Sequence, residues 1–130
     1  MLRILSDRPG SSWRPKRATQ RHLDILEHGN AVRESLAQTT RPKFLRDAVL
    51  QKATFYDLLC VSEAVVRLLE LDPGIVRNHP GVPWRRIADM GSILRHEYGR
   101  VDARVVWDTI TGGDLDDLLR VSAVEIKGHH

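Results

Sequence analysis

Arg95, His96, Glu97 and Tyr98 are consecutive, and together they offer a proton carrier, an anion-holding cation and a hydroxyl within one short stretch. An unperturbed imidazole titrates at about 6.5, so His96 can take or give a proton near neutral pH. Arg95 presents planar donors shaped for phosphate oxygens, and Tyr98 presents a hydroxyl. Each also has a plainer role open to it. His96 can serve as a dipole partner at a helix end, Arg95 as a solvated surface arginine, and Tyr98 as a half-buried packing residue with its hydroxyl at the surface.

The remaining candidates are weaker. His22 and His28 lie six apart, which is neither of the same-face helical spacings, and His79 sits in a proline-flanked loop. No HExxH, no glycine-rich phosphate loop and no metal-ligand spacing occurs, so no metal or cofactor is expected. Asp114, Asp116 and Asp117 read as a cap and a solvated face. Trp84 and Trp107 read as core anchors. Cys60 is the only cysteine, which excludes an internal disulfide and a cysteine metal cluster. Inside an apolar helix it reads as a packing residue.

The elements that position this segment are helical. Strand alternation and hairpin turns are absent from the pattern. A first helix is expected from Thr19, a plausible N-cap, to about Gln38, with Leu23, Leu26, Val32 and Leu36 as its stripe and Gly29 as a weak point. Thr39-Thr40-Arg41-Pro42 reads as a loop. A long second helix is expected over Lys43 to Leu71. Its buried face is read from Leu45, Ala48, Val49, Phe55, Leu59, Val66 and Leu69, and Leu58, Val61, Val65 and Leu68 widen the apolar coverage. A third is expected from Pro83, at its first position, to Tyr98, stopped by Gly99. Asp102 can cap a fourth through Trp107 to Ile110, and Asp114 can restart the chain after Gly112-Gly113. The expected fold is all-α: an up-and-down bundle of four to five helices.

One domain suits 130 residues. The net charge of +3 is unevenly placed: Arg3, Arg8, Arg14, Lys16 and Arg17 against Asp7 give +4 over residues 1–17, which leaves −1 for the rest. Residues 1–18 therefore read as a disordered basic arm, residues 19–126 as the folded domain, and residues 127–130 as a tag-like tail. The arm can assist RNA binding through phosphate contacts or be a solvated extension. No stretch reaches the ~20 apolar residues of a membrane span, and no secretory signal opens the chain, so a reducing cytoplasm is the expected location.

Three stretches resemble the HepT-like family of HEPN-domain proteins. Phe44-Leu45-Arg46-Asp47-Ala48-Val49-Leu50-Gln51 with Val61-Ser62-Glu63-Ala64 resembles the family's long second helix and its acidic residue before an alanine. Pro83-Trp84-Arg85-Arg86-Ile87-Ala88-Asp89-Met90 resembles the opening of its active-site helix. His96-Glu97-Tyr98, followed by Val101-Asp102, Val106-Trp107 and Asp114-Leu115, resembles its histidine–any–tyrosine motif. The likeness runs from about Arg21 to Val121. It implies a HEPN-like helical homodimer that acts as the toxin of a toxin–antitoxin pair and cleaves RNA without a metal. It further implies a cognate minimal nucleotidyltransferase antitoxin, which neutralises the toxin by AMPylation of the motif tyrosine, Tyr98.

One departure bears on the chemistry. The family motif places an arginine five residues before the histidine, usually followed by asparagine; here Gly91 and Ser92 stand there. Metal-free RNA cleavage needs a base for the ribose 2′-hydroxyl, an acid for the leaving oxygen and a stabiliser for charge on the phosphorus oxygens. Two His96 side chains in a dimer could divide the acid and base roles. Loss of the stabilising donor typically costs about a hundred- to thousandfold in rate. Arg95 lies one turn after Gly91 on the same helical face, and helical side chains lean towards the N-terminus. Its guanidinium would thus swing back over position 91, where glycine leaves room. The catalytic candidates are therefore His96 and Arg95, with Gly91, Ser92 and Glu97 beside them. Two further readings remain open: a catalytically degenerate HEPN-fold protein that binds and regulates through dimerisation and partner contact, and a helical adaptor without a nucleic-acid role.

Overall fold

The structure, a computed structural model, describes residues 13–128, and among them every regular element is helical. Helix α1 spans Trp13–Ala37, α2 Arg41–Phe44, α3 Ala48–Leu71, α4 Ile75–Asn78, α5 Trp84–His96, α6 Ala103–Thr111 and α7 Asp114–Gly128. The expected all-α bundle is present: α1 packs on α3 and α7, and α3 packs on α5. None of the described helices is long and apolar enough to cross a membrane.

Two expected boundaries move. Residues 13–18, read as part of a disordered arm, belong to α1, and Ala18 is buried. Pro15 is tolerated there because the first turn of a helix leaves its N–H groups unpaired in any case. The rest of the arm, residues 1–12, lies outside the described residues. At the other end α7 takes in Lys127 and Gly128, while His129 and His130 lie outside the described residues.

The long helix expected from Lys43 is broken. Thr40 caps α2 by accepting from the Lys43 N–H, and Pro42 sits in the first turn. The chain then leaves the helix at Asp47, whose extended backbone (φ −109°, ψ 90°) lets its carboxylate accept from the Leu50 N–H at 2.9 Å. An aspartate able to cap outcompetes the apolar periodicity that runs through it. Replacing Asp47 with alanine should cost about 0.5–2 kcal/mol, seen as a lower urea midpoint with an unchanged slope.

The buried face of α3 also differs from the one expected. Phe55, Leu58, Val61, Val65 and Leu68 face the core with the polar Thr54 and Ser62, whereas Val49 is 79% exposed and Val66 is partly so. Both apolar sets have helical spacing, and the neighbours α1 and α5 select the second. Ile25, Val32 and Leu36 of α1 meet Leu115, Leu118 and Leu119 of α7 in the same core. Gly29, expected to be a weak point, is where Leu119 nests against α1, and a Cβ there would strike its methyl group. Buried His22 bonds Ser122 at 3.0 Å across the same contact, so it serves packing. Phe44 is wholly buried beside Trp107, with ring centroids 5.4 Å apart, which ties α2 to α6.

Candidate functional site

Helix α5 carries the site, and its entry is fixed first. Pro83 occupies the N-cap position of α5, not the first helical position. Trp84 is buried and its indole N–H donates to the His79 carbonyl at 2.9 Å. His79 Nε2–H in turn donates to Glu125 Oε2 at 2.8 Å, which fastens the loop before α5 to α7. His79 is thus a half-buried structural tie.

Midway along, α5 crosses α3 at close range. Ser62 Oγ accepts from the Gly91 N–H at 2.9 Å and donates to the Ala88 carbonyl at 2.9 Å. Both Ser62 and Gly91 are buried. A Cβ at position 91 would overlap Ser62 Oγ, so glycine is required by the approach of α3. That is the reason for a residue that costs a helix interior up to ~1 kcal/mol relative to alanine. The sequence marks it only through the pairing of a helical glycine with a serine on another helix, a pairing that depends on the fold.

The expected swing of Arg95 over Gly91 is present. Its Nη1 lies 3.6 Å from the position a Gly91 Cβ would take. The same atom stands 3.3 Å from Glu63 Oε2, next in the chain to Ser62. Arg95 and Glu63 are both exposed, so the pair is loosely held and open to competition from another anion. Glu63 was legible only as the acidic residue of the second-helix resemblance; its proximity to Arg95 is a product of the α3–α5 crossing.

His96 is exposed and is the last residue of α5. The helix does not continue to Tyr98 as expected. Glu97 leaves helical dihedrals (φ −129°, ψ 32°) while its N–H still reaches the Ile93 carbonyl at 2.8 Å. Tyr98–Arg100 then form a separate 3-10 turn, closed by the Arg100 N–H on the Glu97 carbonyl at 2.8 Å. Tyr98 therefore lies outside α5, on that turn. Ser92, Glu97 and Gly99 are exposed. The structure thus gathers Gly91 and Arg95 with Glu63, and places His96 next along α5.

Beside this cluster a groove of about 560 Å³ opens between α5, α6 and the start of α7. Ile87, Met90, Ile93, Val105 and Val106 line it, with Arg100 and Asp102 among its polar lining residues. Ile93 and Val105 are each more than half exposed. Asp102 caps α6 through the Arg104 N–H at 2.9 Å, and the Arg104 side chain and that N–H hold its carboxyl below the usual range. The charged cap is therefore kept as pH falls and is lost only when pH drops below that lowered value.

Cys60 is half-buried, and burial pushes its thiol up, away from the thiolate form a nucleophile needs. It stays a packing residue.

A profile of the family described as "Ribonuclease HepT-like" matches residues 25–124, which takes in all of α3, α5 and the 3-10 turn. Among individual proteins, the chain is 28% identical over 117 residues to a candidate RNase of Methanocaldococcus jannaschii, covering 88% of this chain and 94% of that one. It is 33% identical over 97 residues to a protein described as "Probable ribonuclease HepT" from Thermococcus cleftensis, covering 68% of this chain and 82% of the other. A candidate RNase of Caldanaerobacter subterraneus subsp. tengcongensis is 41% identical over 87 residues, covering 66% and 74%. No solved structure matches at comparable significance.

Proposed function

Since the chain belongs to the HepT-like ribonuclease family, we propose that it cleaves RNA, with His96 moving the protons and Arg95 holding the phosphate. The observation that carries this reading is the position of the Arg95 guanidinium, 3.6 Å from the empty Cβ site of Gly91. It sets a planar cation beside the position the family motif assigns to an arginine, reached from the next turn of the helix, which supports the reading. In the reaction the ribose 2′-oxygen loses its proton to a base and attacks phosphorus, the P–O5′ bond breaks, and O5′ takes a proton from an acid. His96 offers an exposed imidazole for either proton transfer, and Arg95 offers donors to the phosphorus oxygens as charge builds.

A homodimer would let two His96 side chains divide the two roles. The apolar groove beside the motif, with Ile93 and Val105 exposed, supports such a pairing surface. The toxin role, and neutralisation by a minimal nucleotidyltransferase that transfers AMP to Tyr98, belong to the same reading. The helix break at Glu97 and the exposed Gly99 support it, because the tyrosine sits on a short turn off the helix. A cytoplasmic setting follows from a cellular RNA substrate.

One observation favours a non-catalytic, partner-binding reading: Glu63 already engages an edge of the Arg95 guanidinium. Cleavage of a labelled RNA in EDTA by the wild type and by Arg95→Ala separates the two. At this exposed site the expected loss is roughly ten- to a hundredfold, less than a water-excluded donor provides. Equal rates would remove Arg95 from the site. Intact mass after co-expression with a nucleotidyltransferase encoded beside the gene tests the other half, by AMP added at Tyr98 and absent in Tyr98→Phe.

A further inference from the structure

Helix α3 has a second face, turned away from the core, that runs through Val49, Lys52, Tyr56, Cys60 and Glu63 at three-, four- and seven-residue spacing. It ends at the carboxylate that touches Arg95. Tyr56 stands out on it because an aromatic residue 62% exposed is met by a ring from another helix. Its ring meets the His28 ring nearly at right angles, with centroids 6.2 Å apart. His28 is itself fixed, since its Nδ1–H donates to Asp57 Oδ1 at 2.9 Å. Tyr56 is thus braced against α1 while most of its surface stays in solvent.

We propose that Tyr56 is a base-stacking platform for single-stranded RNA, taking a nucleotide near the one whose phosphate meets Arg95. The inference rests on the RNA-cleaving reading of Arg95 and extends it to the kind of strand bound. Tyr56 and Glu63 are seven residues apart, a rise of about 10 Å along α3, and an extended strand spans that in one or two nucleotides. The ring is uncharged: the neighbouring Cys60 thiol, with Asp57 and Glu27 nearby, pushes the phenol above its ordinary value. Stacking on a neutral aromatic face tolerates any base, and exposed Lys52 one turn before it suits the backbone phosphates. A duplex, whose bases are already stacked on one another, cannot use such a platform.

Fluorescence anisotropy with a short labelled 2′-O-methyl RNA, which lacks the attacking hydroxyl, reads binding apart from cleavage. Tyr56→Ala should weaken binding of the single strand roughly tenfold or more, and Tyr56→Phe should stay within about twofold. The same RNA annealed to its complement should show no difference between the proteins. If alanine and phenylalanine weaken binding equally, the hydroxyl and not the ring is at work, and the proposal falls. It falls equally if Tyr56→Ala binds like the wild type, including when that variant changes the sedimentation mass and so marks a protein interface. An Arg95→Ala protein measured alongside tells the two ideas apart. Weakening by Arg95→Ala without any effect of Tyr56→Ala removes the platform alone, whereas no effect of either removes the RNA reading beneath it.

Discussion

His96→Ala is expected to abolish most RNA cleavage while leaving the fold intact. Positioned proton transfer is worth typically 10²–10⁴ in rate, and a residue on which both transfers depend should show the upper part of that range. The side chain is exposed at the end of α5, so its removal should change stability by no more than about 0.5 kcal/mol. The measurement is the rate on a labelled RNA, paired with a thermal melt of the same preparation. Cleavage within threefold of the wild type, with the melt unchanged, would take His96 out of the mechanism. A cooperative loss of fold would instead show that its role is structural.

Restoring the family's arginine should harm the protein. Gly91→Arg places a Cβ against Ser62 Oγ in a buried helix crossing and breaks both hydrogen bonds of that serine. Overpacking costs about 1–3 kcal/mol, and a buried polar group left without a partner about the same. Together they should lower the melting temperature by about 10 °C or more. Gly91→Ala carries the steric part alone and should lie between. Pairing either substitution with Ser62→Gly removes the obstruction, so a double-mutant cycle should give a coupling above about 1 kcal/mol. A Gly91→Arg protein as stable as the wild type and more active would show that α3 yields easily and that Arg95 is no substitute.

Much of this was legible in the residues. Helical periodicity and capping residues give the bundle, and Asp102 and Asp114 mark the starts of α6 and α7 as expected. The Arg95 swing follows from side-chain direction in any α-helix. What the sequence hides are competitions between local rules. Asp47 caps where apolar spacing continues, and Glu97 leaves the helix two residues before the glycine that could have stopped it. The partners of Gly91 and Arg95 are hidden for another reason: Ser62 and Glu63 are about thirty residues away, and only the packing of α3 on α5 brings them near. The bracing of Tyr56 by His28 is of the same kind.

The Ser62 clip also bears on how such a chain can change over generations. With glycine at position 91 and α3 closed upon it, a larger side chain cannot enter there in one step without penalty. Ser62 would have to shrink first, at a cost to the crossing it secures. Arg95, on the neighbouring turn, meets α3 only through an exposed pair with Glu63, so a cation can be gained or lost there with little disturbance of the scaffold. The packing thus works as a ratchet: it shuts one route to an arginine-bearing site and leaves another open.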